Sequence, residues 1–160
     1  MTWFDVVAIL LVGLIAWLES VRGFGRALLD LVGGLIALKV ASFVAAPLGT
    51  AAPLFQSPDT STAFWHAAIF LILASLTVLA SKLIYETTLL SLDVLDPLVG
   101  GVLGLGCGIV VAHIFLKTLV LGFGESEAAD VLIGTFVGQE LLKFRSYHTV
   151  VTALQNLGNW

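Results

Sequence analysis

The chain has 160 residues, 59% hydrophobic and 11% charged, with a net charge of −4 and a mean hydropathy of +1.06. Soluble domains carry about 25% charged residues, so this composition excludes an ordinary water-soluble fold. The acidic balance argues against a nucleic-acid surface, which needs clustered Lys and Arg, and the lone Cys107 leaves no intrachain disulfide.

Four apolar segments fill most of the sequence: Trp3–Leu18, Ala27–Ala46, Phe64–Ile84 and Leu98–Leu121. A hydrocarbon core about 30 Å thick is crossed by about 20 apolar residues at 1.5 Å each. The predicted fold is therefore all-α, a four-pass transmembrane helix bundle. Residues 1–124 form its membrane domain, with spans at about 3–18, 27–46, 64–84 and 97–121. The opening Met1-Thr2-Trp3-Phe4-Asp5 has no basic residue, and Glu19-Ser20-Val21-Arg22 is no small-residue cleavage site, so the first segment reads as a retained span.

Trp3 and Trp17 suit the two headgroup levels. The turn from Glu19 to Arg26 is short and predicts an antiparallel hairpin of the first two spans. Pro47 is expected to end the second span, because proline removes a backbone donor. Asp59, Thr60, Ser61 and Thr62 are N-cap candidates for the third, with Trp65 and His66 at its entrance. The linker 86–95 reads as an interfacial amphipathic piece. Asp96 reads as an N-cap with Pro97 at the first helical position, and Gly122-Phe123-Gly124 as the stop. In the tail, 125–160, Val131, Phe136, Leu141 and Phe144 recur near one helical face, which predicts one or two amphipathic surface helices.

Gly100, Gly104 and Gly108 share one face of the fourth span. Without side chains there, another helix backbone can approach closely, so the ladder predicts a packing seam, either with another span or with a second copy. Glycine enrichment common to membrane helices is the plainer account. Lys39 lies thirteen residues past Arg26, about 20 Å along a helix. A charge at that depth calls for a partner, and a hairpin centred near Arg22 sets Asp5 at the same level, which predicts an intramembrane Asp5–Lys39 pair. Snorkelling of Lys39 to the interface is the alternative. Asp30 is read as a solvated i, i+4 partner of Arg26. His113 and Lys117, also i, i+4, are candidates for a proton or ion path, and Cys107 is a small packing residue. No metal helix, Cys-x-x-Cys pair, phosphate loop or nucleophile elbow is written in the sequence, so neither an enzyme nor a cofactor or metal site is expected.

Arg22, Arg26 and Lys82 fall on one side of the bundle, while loop 47–63 has no basic residue. The positive-inside rule then places both termini outside the cytoplasm.

Two stretches carry a family resemblance. One is Phe4-Asp5 followed, after an apolar span, by Arg22-Gly23-Phe24-Gly25-Arg26. The other runs from Leu95-Asp96-Pro97 through Gly100, Gly104 and Gly108. Together they resemble the colicin V production protein (CvpA) family of bacterial inner-membrane proteins. This chain has Ala27, Pro97 and Cys107 where that family usually has an acid and two arginines, which weakens any anionic-lipid or polar-partner role on that side. The resemblance implies a multi-pass protein of the inner membrane linked to colicin V production, a toxin biosynthetic process, and to envelope homeostasis. The expected function is a non-enzymatic scaffold or regulator of a membrane or periplasmic protein partner, with homo-oligomers possible through the seam. The competing expectation is a small oligomeric transporter or channel subunit using Lys39, His113 and Lys117.

Overall fold

The computed structural model describes residues 3–88, 95–123 and 127–143. Its helices are α1 (Trp3–Arg22), α2 (Phe24–Ala51), α3 (Pro58–Thr88), α4 (Asp96–Phe123), α5 (Glu127–Gly134) and α6 (Phe136–Lys143), and no strand occurs among the described residues. The first four are each long and apolar enough to cross a membrane. The fold is an all-α membrane bundle. Most of the linker 86–95 and all of 144–160, with Phe144 of the expected amphipathic face, lie outside the described residues. The described tail is two short helices.

Local chemistry sets the boundaries. Gly23, at φ 89°, breaks the chain between α1 and α2, a left-handed conformation that suits a residue without Cβ. Pro47 does not end α2, which runs on to Ala51. A proline forfeits one bond of the ladder, and in membrane helices side-chain hydroxyls help satisfy the freed groups. Thr50 Oγ1 adds a bond in the turn that follows, donating to the Pro47 carbonyl at 3.0 Å. Helix α3 begins before the expected caps, at Pro58, with Ser57 Oγ 3.5 Å from the Thr60 amide. The Ser61 hydroxyl instead accepts the Phe55 amide at 3.0 Å, and Trp65 Nε1 donates to the Ala52 carbonyl at 3.0 Å, which closes the connection.

Helix α4 is the hub. It packs against α1, α2 and α3 and meets both short helices, whereas α1 and α2 barely touch. One core joins Ala37 and Ala41 of α2 to Phe70 of α3 and to Val110 and Ile114 of α4. A second joins Ala8 of α1 to Ala112 and Leu116 of α4 and Val137 of α6. Large apolar side chains such as Leu10, Leu14, Leu71, Leu79 and Leu83 point outward, as expected for a surface solvated by lipid.

Candidate functional site

The glycine ladder is filled by α1 of the same chain. A Cβ on Gly100 would lie 2.8 Å from the Glu19 carbonyl oxygen. On Gly104 it would lie 2.8 Å from Ala16 Cα, and on Gly108 2.8 Å from Val12 Cα. As the α4 numbers rise the α1 numbers fall, so the helices run antiparallel. The seam thus pairs two spans of one chain. Cys107 faces inward beside it, its thiol 3.7 Å from the Ala27 carbonyl. Helix α2 has its own small-residue row, Gly33, Ala37, Ala41, Ala45 and Gly49. A Cβ on Gly33 would strike Thr77, and one on Gly49 would strike Thr62, both on α3.

At the end of the bundle where α1 turns into α2, a polar node gathers residues far apart in sequence. Arg22 Nη1 donates to Glu19 Oε1 at 2.7 Å and lies 3.5 Å from Asp30 Oδ2. Glu19 and Asp30 are 4% and 8% exposed, so Asp30 is not solvated, and its ion pair is with Arg22 and not Arg26. The Phe24 amide donates to Asp96 Oδ1 at 2.9 Å, and Ser20 Oγ to the Pro97 carbonyl at 2.8 Å. Asp96 therefore caps the start of α2 from another helix. Arg22, Gly23, Phe24 and Asp96, chosen from sequence, converge here, while Arg26 is half-buried with no partner at Nε. Glu19 was not expected. Its signal was an acid one helical turn before Arg22, at the end of an apolar span.

The structure does not bring Asp5 and Lys39 together. Asp5 is 1% exposed and accepts the Val137 amide of α6 at 3.1 Å, whereas Lys39 is exposed on α2. The depth argument assumed that α1 and α2 pack as a hairpin, but α4 occupies the face of α1 that α2 was expected to cover.

Toward the opposite end, a second polar network crosses three helices. Lys117 Nζ donates to Ser42 Oγ at 2.8 Å, and Ser42 Oγ lies 3.4 Å from His66 Nε2. The other ring nitrogen of His66 is 3.0 Å from Thr118 Oγ1. His66, expected at the interface, is fully buried. His113 diverges from Lys117 and donates from Nδ1 to the Leu141 carbonyl of α6 at 2.7 Å. The core of Ala37, Ala41, Phe70, Val110 and Ile114 separates the two polar regions. Among the described residues no group of three His, Cys, Asp or Glu is placed to hold a metal ion. No protein-family model, curated protein or solved structure matches this chain.

Proposed function

We propose that this chain is a non-enzymatic protein of the bacterial inner membrane that scaffolds or regulates a membrane or periplasmic protein partner. The setting is the one its resemblance to the CvpA family implies, colicin V production and envelope homeostasis. One observation supports the reading: Arg22, Gly23, Phe24, Asp96 and the three glycines, which carry the resemblance, all make contacts that hold α1, α2 and α4 together. Residues engaged in assembly build a fixed surface for a partner. In this reading the start of α1 and α6, joined by the Asp5–Val137 contact, face the periplasm, because Arg22 and Arg26 lie at the other end. Affinity capture from native membranes in mild detergent tests it. A defined partner should co-purify with the wild type and be lost when Gly104→Leu opens the seam; capture of no stoichiometric partner would count against it.

A second reading, a small oligomeric transporter, is favoured by the half-buried Lys117–Ser42–His66–Thr118 network. Ion or solute flux in reconstituted vesicles that disappears in Lys117→Ala would displace the scaffold reading.

A further inference from the structure

Among α1, α2, α3 and α4 lies a cavity of about 190 Å³. Its wall is mostly apolar, with Leu18, Leu31, Phe70, Val78 and Val110 among the lining residues, and its charged part is Glu19, Arg22 and Asp30. The side chains of Glu19 and Asp30 are 5% and 6% exposed. Arg22 hydrogen-bonds only one of their four oxygens. Glu19 Oε2 and both oxygens of Asp30 are buried without a hydrogen-bond partner. Other donors on the wall are committed elsewhere: the Thr77 hydroxyl donates to the Leu73 carbonyl at 3.0 Å, and the Cys107 thiol points at the Ala27 carbonyl. Arg26 Nε is also buried and unpartnered, but Arg26 does not line the cavity. Two carboxylates on the wall thus ion-pair with one guanidinium, Arg26 acting on Glu19 only through space, and buried acceptors without donors are costly.

We propose that this cavity binds a small primary ammonium ion with a short alkyl body. Its three N–H donors match the three oxygens that lack a hydrogen bond, its positive charge balances the second carboxylate of the cavity wall, and its carbons cover the apolar wall. A divalent ion suits the site poorly, since calcium and magnesium take about six or more oxygens. The inference holds whether the chain scaffolds or transports.

The test is titration of the full chain, in phosphatidylcholine nanodiscs at neutral pH, with n-butylammonium chloride. Thermal unfolding and calorimetry are the readouts, and empty nanodiscs the blank. Saturable stabilisation is expected, at least tenfold weaker with n-butanol or with sodium chloride at equal ionic strength. Glu19→Gln and Asp30→Asn, which keep the side-chain shapes, should each weaken binding at least tenfold. The selectivity of the wild type decides the matter even if a variant fails to fold. An equal response to sodium would make this an alkali-ion site, and an equal response to butanol an apolar void; either overturns the proposal. So does the absence of saturable binding, with Arg26 then the donor to Asp30.

Discussion

The backbone amide of Phe24 donates to the carboxylate of Asp96 across 2.9 Å, although the two residues lie 72 positions apart. The first amides of a helix have no partner within it, and the helix dipole favours a negative charge there. Asp96 supplies both to α2 while standing at the start of α4. Gly23 makes room, since a Cβ at this position would collide with that carboxylate. Asp96→Ala should lower stability by about 1–2 kcal/mol, the range for losing an N-cap, while Asp96→Asn, which keeps an acceptor, should lose less. Thermal unfolding in detergent measures both. Equal losses would show that only the charge matters.

Two glycines on facing helices should respond oppositely to leucine. Gly104→Leu drives a side chain into Ala16 and Glu19 of α1 and should cost about 1–3 kcal/mol, the usual overpacking range. Gly13 is exposed and a Cβ there would meet nothing within 4 Å, so Gly13→Leu should be neutral or stabilising, because leucine is the better helix former. Denaturation of the pair in one detergent checks this, and similar shifts would refute the packing assignment.

Asp5 anchors α6, so Asp5→Ala should release it while Lys39→Ala leaves it in place. A thiol-reactive label at Glu140→Cys in a Cys107→Ser background reports the release as faster labelling. Equal labelling in the two variants would show that Asp5 does not anchor α6.

Replacing His66 with Phe leaves the hydroxyls of Ser42 and Thr118 each short of a partner, while Lys117 keeps its bond to Ser42. A cost of about 1–3 kcal/mol is expected for buried polar groups so stranded. Lys117→Met in the same background should recover part of that loss, because it removes a half-buried charge. Additive losses would mean that the two residues do not share a network.

The four spans were legible because apolar length is a local property and the membrane demands it of each helix separately. The glycine ladder was legible as a seam, but not its partner, which depends on how non-adjacent helices dock. For the same reason the Asp5–Lys39 pair failed: it followed chain order, whereas α1 chose α4. The α2 row of Gly33, Ala37, Ala41, Ala45 and Gly49 was visible at four-residue spacing and was overlooked beside the purer glycine ladder. Pro47 misled because a missing backbone bond stops a helix less effectively in an apolar bundle than in water. Asp96 was identified as a cap, yet the helix that receives it lies 72 residues away and leaves no local mark.

The account rests on α4 closing against α1 of its own chain, and a disulfide tests that most directly. An ideal Cβ on Gly101 would lie 3.4 Å from the Ser20 Cβ, close to the roughly 3.8 Å that a disulfide prefers. In a Cys107→Ser background, Ser20→Cys with Gly101→Cys should oxidise readily in native membranes to a crosslink within one chain. It would run as a monomer on a non-reducing gel, and fragments cut in the loop between α2 and α3 would stay joined until reduced. A crosslinked dimer with no intrachain product would place the seam between copies and contradict the fold described here.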